Sequence, residues 1–91
     1  MREITDEKLE KYLNITKEAL DKAKSAHASS HAAEVYDMAN RYYLDALHFR
    51  EKGDFVNSFA AVSYAHGWLD CGARLGLFKV KDSRLFTVDE D

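Results

Sequence analysis

Residues 48–59 read HFREKGDFVNSF, and the Gly53-Asp54 pair near their centre decides the architecture. Glycine accepts left-handed dihedrals without a Cβ clash, so Gly53 suits the position just past the end of a helix. Aspartate is a preferred N-cap, so Asp54 suits the start of the next helix, with Asn57 three residues on. A stop and a restart this close together predict two helices that turn back on one another.

Working outward, the apolar residues before the turn recur at helical spacing: Val35, Met38, Ala39, Tyr42, Ala46 and Phe49. They predict a helix from about His31 to Glu51. After the turn, Phe55, Phe59, Val62, His66, Leu69 and Ala73 predict a third helix, from Phe55 to about Leu75. Gly67, Gly72 and Gly76 lower its intrinsic propensity, and in an apolar helix they permit close backbone packing. Upstream, the small polar run from Ser25 to His31 predicts a turn, with Ser29 or Ser30 as the next N-cap. A first helix runs from Thr5 or Asp6 to Ser25, burying Leu9, Tyr12, Leu13, Thr16, Leu20 and Ala23. Its other face is charged, and Glu18–Lys22 is placed there as a solvated i,i+4 pair. Beyond Gly76, the apolar residues Leu77, Phe78, Val80, Leu85, Phe86 and Val88 predict a tail that, from Arg84 on, either lies extended against the bundle or forms a short hairpin arm. The expectation is an all-α, up-down-up three-helix bundle with a short, partly extended C-terminal tail, one domain over residues 1–91.

Composition fits one modest core. A chain of 10.4 kDa buries roughly 64% of its extended surface on folding. The 13 basic and 16 acidic residues leave a formal charge of -3. Such a balance gives no whole-molecule attraction to nucleic-acid phosphates. Cys71 is a lone cysteine, which excludes an internal disulfide and suits a reducing compartment. Met1 to Glu10 carries no apolar leader, and no run is long enough to span a bilayer. A cytoplasmic location is therefore expected, with no membrane contact.

The stretch from Asp37 to Phe78, and within it YAHGWLDCGARLG at 64–76, resembles a small archaeal three-helix domain family of unknown function. That resemblance implies the fold and no activity. The KGDFVNSF turn at 52–59 is similar to the helix restarts of tetratricopeptide repeats and of HEPN domains. A repeat array needs several units to bury a continuous face, and this chain supplies one at most. Arg41 and His48 are spaced much like the paired residues of HEPN ribonucleases, but Tyr42 stands where that pattern has a polar residue. This gives the alternative reading: an RNA-associated, HEPN-like accessory domain or ribonuclease.

The chemistry-bearing residues have simpler structural readings beside the sharper ones. His27 and His31 could face one metal only on an unbroken helix, and the predicted turn breaks it there. No metal and no cofactor is expected. His66 and Asp70 are i,i+4; they read as a structural polar pair within an apolar stripe before they read as a catalytic one. Cys71 reads as a packed thiol. No Ser/His/Asp arrangement, phosphate loop or paired-carboxylate set follows from the spacing, so no catalytic residue is assigned.

One surplus remains. The second and third helices each carry apolar residues away from their main stripe, and a three-layer core needs one face per helix. Tyr43, Leu47, Tyr64 and Trp68 are the expected interaction patch. The predicted role is a protein–protein interaction or assembly module, with a homodimer or an unidentified protein as partner.

Overall fold

The computed structural model describes residues 4–27, 29–82 and 84–86. Three helices follow in order: α1 (Asp6–Lys24), α2 (His31–Glu51) and α3 (Phe55–Arg74). The fold is an all-α three-helix bundle. α2 and α3 form the closest pairing, and α1 packs across both.

Each boundary has a local cause. The Thr5 hydroxyl accepts the Lys8 backbone N–H at 3.1 Å and opens α1. Asp54 opens α3: its carboxylate accepts the Asn57 N–H at 3.1 Å and the Asn57 side-chain amide at 2.6 Å. Gly53 has φ 77°, and the Gly53 and Asp54 N–H groups donate to Arg50 and Phe49 carbonyls at 3.0 and 2.9 Å. α3 ends in the same way at Gly76, φ 76°, with Gly76 N–H to Ala73 and Leu77 N–H to Gly72 at 3.1 and 2.8 Å. Both ends are Schellman closures, which satisfy carbonyls a helix end leaves open. Ser30 departs from expectation: it precedes α2 in a helical conformation and makes no side-chain cap bond. Instead, the Ala32 N–H bonds to the Ser29 carbonyl at 3.2 Å.

The core divides into two clusters. One gathers Leu9, Leu13, Ala46, Ala61 and Val62, near the Gly53 turn. The other gathers Ala19, Leu20, Ala23, Leu69, Phe78, Leu85 and Phe86 at the opposite end. Small residues make the α2·α3 seam: Ala32, Ala39 and Ala46 from one side, Ser58, Ala61, Ala65 and Gly72 from the other. At that seam the buried Ser58 hydroxyl donates to the Ala46 carbonyl at 2.7 Å. Gly72 makes room for the tail, because a Cβ there would stand 2.6 Å from Phe78 Cδ2.

The tail leaves Gly76 extended, with Phe78 bridging His27 and Lys79 N–H donating to Ala26 at 2.8 Å. It then turns instead of continuing extended. The Leu85 and Phe86 N–H groups donate to the Asp82 carbonyl at 3.0 and 2.9 Å, and the Arg84 N–H to the Asp82 side chain at 3.0 Å. Val88 lies outside the described residues. Arg84 fastens this turn to α1 through Glu18 at 2.6 Å, and Lys22 reaches Asp82 at 3.3 Å. Glu18 and Lys22 thus each form an ion pair with the tail. The hydrogen bond from Arg84 holds the Glu18 carboxyl below its ordinary value, against some desolvation. Desolvation pushes Asp82 upward, but the Arg84 N–H and Lys22 outweigh it and leave the group lowered.

The bundle measures 39 × 26 × 17 Å. Each of the three helices keeps exposed residues along its length. Among the described residues, no helix is long and apolar enough to cross a membrane.

Candidate functional site

The tail covers one end of the bundle and leaves the outer side of α3 open. From Phe55 through Leu69 this helix contains no Asp, Glu, Lys or Arg. Its solvent side therefore lacks the charges that normally occupy an exposed helix face. Val56, Tyr64 and Leu75 are 69, 63 and 68% exposed. Between them a groove of about 620 Å³ is lined by Ala60, Ser63, Tyr64, Gly67, Trp68 and Cys71. It continues past Cys71 into a second hollow of about 400 Å³ lined by Asp70, Cys71, Arg74 and Leu75. Ala60, Ser63 and Gly67 are its small members, and a Cβ built at Gly67 meets nothing within 4 Å. The Tyr64 ring is steadied by stacking on Tyr42 of α2, with centroids 5.3 Å apart and planes at 24°.

The four residues of the expected patch part company here. Tyr64 and Trp68 share the groove, Trp68 half-buried against the tail-end cluster. Tyr43 packs against both core clusters and Leu47 against the one near the Gly53 turn. Tyr42, outside the expected patch, stands beside Tyr64. The groove's other members, Ala60, Ser63 and Gly67, are too small to stand out in a search for surplus large side chains.

His66 and Asp70 lie on the opposite flank of α3, facing α1. A cleft of about 340 Å³ there is lined by Tyr12, Ile15, Ser63, His66, Asp70 and Arg84 among others. His66 is partly covered rather than deeply buried, with its side chain 25% exposed. The Thr16 hydroxyl and His66 Nδ1 share a hydrogen bond of 3.2 Å, and Nε2 stands 3.7 Å from Asp70 Oδ1. The Nε2–H tautomer fits this arrangement: the hydroxyl donates to Nδ1, and the N–H faces the carboxylate. Both ring nitrogens are turned toward protein groups, Nδ1 toward Thr16 and Nε2 toward Asp70. Thr16 belongs to the apolar stripe of α1 by spacing, yet its bond to His66 links α1 to α3 and carries no sequence signal.

The remaining candidates are dispersed. His27 sits between helices, its ring 5.6 Å from that of Phe78, while His31 begins α2. Among the described residues, no three His, Cys, Asp or Glu side chains gather as a metal site. Arg41 pairs with Asp37 at 3.0 Å, and His48 rests against Phe49. Neither lines any of these three hollows. Cys71 is exposed in the α3 groove, not packed as expected.

No curated protein and no solved structure matches the chain. Residues 11–78, which span most of α1, the two turns, α2 and α3, match the family described as "Protein of unknown function (DUF357)". The chain belongs to that family.

Proposed function

We propose that this domain is a protein–protein interaction or assembly module that docks through the outer side of α3. The observation that carries the reading is the charge-free, apolar groove around Tyr64 and Trp68, left open after the tail has docked elsewhere. Interface cores are depleted in charge and enriched in Tyr and Trp. The groove has that composition, with Tyr64 preset by its stack on Tyr42, so less side-chain entropy is lost on binding. A reducing compartment such as the cytoplasm belongs to this proposal, and the exposed Cys71 thiol supports it.

The test is a photo-reactive phenylalanine at position 64, expressed in the native host and irradiated. Protein adducts at that position are expected, and a second label at the exposed position 34 on α2 should give none. Equal labelling from both positions, or none from position 64, contradicts the docking face.

A further inference from the structure

We propose that the occupant of the α3 groove is a second copy of this chain, its α3 antiparallel to the first, with the two-fold axis between Ala65 and His66. This rests on the docking face proposed above and adds the partner and the register. A two-fold there puts Tyr64 at the level of Gly67 of the second copy, and Ser63 at the level of its Trp68. Ala60 comes level with Cys71, and Val56 with Leu75. Every one of these residues lies on the exposed or groove-lining side of α3.

The register is self-complementary in size. At both central levels a large ring from one copy stands beside a small residue of the other: Tyr64 with Gly67, Trp68 with Ser63. Small Ala60 and Cys71 meet midway, and the two exposed aliphatic residues, Val56 and Leu75, close the ends. Steric fit of this kind is what an isologous contact requires, since each patch must be its own complement. Small residues at the crossing also let two helices approach to the short end of the usual 8–10 Å separation.

Charge agrees. No like charges are brought together along the seam: Phe55 through Leu69 holds no Asp, Glu, Lys or Arg, and Asp70 and Arg74 beyond it come level with Ala61 and Asn57 of the second copy. At each end, Arg74 comes within about one helical turn of Asp54 of the second copy, opposite in sign. Area sets the strength. α3 has 20 residues and is about 30 Å long. One such helix pair falls at the small end of specific interfaces, below about 1,200 Å² in total. Association is therefore reversible and concentration-dependent.

The register is tested by Ala60→Cys in the full chain, which retains Cys71, under mild oxidation with copper phenanthroline. Facing Cα atoms across a close helix pair lie within the 4.4–6.8 Å that a disulfide spans. Within one chain, positions 60 and 71 are about 16 Å apart along the helix and cannot join. The expected product is a covalent dimer whose peptide map links 60 to 71. The two Cys71 thiols of the unsubstituted dimer lie about 16 Å apart along the seam, so the wild type should give no such product. Circular dichroism confirms that the variant is folded. Gly67→Leu provides a second reading: its Cβ has open space in one copy but fills the slot for Tyr64 of the other. It should raise the dimer dissociation constant at least about tenfold while the fold is kept. A wild-type Cys71–Cys71 link overturns the antiparallel pairing. Non-covalent dimers without the 60–71 link overturn the register and leave the docking face standing. A monomer at every concentration, with adducts from position 64 to another protein, overturns self-pairing alone.

Discussion

Gly67 and Gly72 lie on one helix, and the same substitution should move stability in opposite directions at the two sites. Alanine exceeds glycine in helix propensity by about 0.8–1.0 kcal/mol. At Gly67 the new methyl meets nothing within 4 Å, so Gly67→Ala should stabilise the monomer by about 0.5–1 kcal/mol. At Gly72 the methyl would stand 2.6 Å from Phe78 Cδ2 and 3.2 Å from Val35 Cγ1. Phe78 is 2% exposed, and its backbone is held where Lys79 N–H donates to Ala26 at 2.8 Å. The ring can yield only by tilting into a filled core. Overpacking of this kind costs about 1–3 kcal/mol, which exceeds the propensity gain over most of that range. Gly72→Ala should therefore fall below the wild type, by up to about 2 kcal/mol net. The assay is urea denaturation followed by circular dichroism, at dilutions where the chain is monomeric. For a domain of this size, each kcal/mol also moves the melting temperature by about 4–8 °C. Changes of the same sign at both positions, or a Gly72→Ala variant as stable as wild type, would refute the account of the tail's seat.

Three further outcomes are expected. Leu13→Ala should cost about 2–4 kcal/mol, because Leu13 is 2% exposed, whereas exposed Lys17→Ala should stay within about 0.5 kcal/mol; denaturant midpoints at constant slope separate them. Gly53→Val should destabilise more than Gly53→Asn, since φ 77° suits asparagine far better than a β-branched residue; thermal melts of the pair decide it. Tail anchoring should weaken in acid. Glu18 and Asp82 are lowered from 4.5 and 3.8 on folding, so their contribution is present above the unfolded values and is lost as pH falls through the folded ones. Carboxyl NMR titration should find Glu18 below 4.5 in the wild type and back near it in Arg84→Ala; a Glu18 that titrates at its ordinary value in both would contradict the Arg84 contact.

The bundle was legible because its boundaries are chemical and local. Gly53, Asp54, Gly76 and Thr5 act within a few residues of themselves, so helix ends follow from sequence spacing. What lies between helices is less legible. The third helix's apolar stripe reads through Phe55, Phe59, Val62, His66, Leu69 and Ala73; Val62 and Leu69 are buried, but the rest of the buried face is Ser58, Ala61, Ala65 and Gly72. Large side chains dominate a hydrophobic periodicity, whereas the closest helix contact selects for small ones, which shifts the apparent face. The same effect misplaced half of the expected patch. Tyr43 and Leu47 turn toward the core, and Tyr42 turns toward Tyr64. Long-range polar contacts left no trace in spacing. Glu18 and Lys22 form a well-ordered i,i+4 pair in sequence, yet each finds a better partner in the tail.

Sedimentation equilibrium of the wild-type chain beside Tyr64→Asp, over a wide concentration range, addresses the docking of α3 on a second copy most directly. The substitution puts a charge into the groove at a position 63% exposed in one copy; it gives up the stack on Tyr42, and circular dichroism checks that the helices are kept. The wild-type mass should climb from 10.4 kDa toward that of a dimer as concentration rises, while Tyr64→Asp stays monomeric. A wild-type mass that remains at 10.4 kDa throughout, or a dimer that Tyr64→Asp leaves intact, would contradict it.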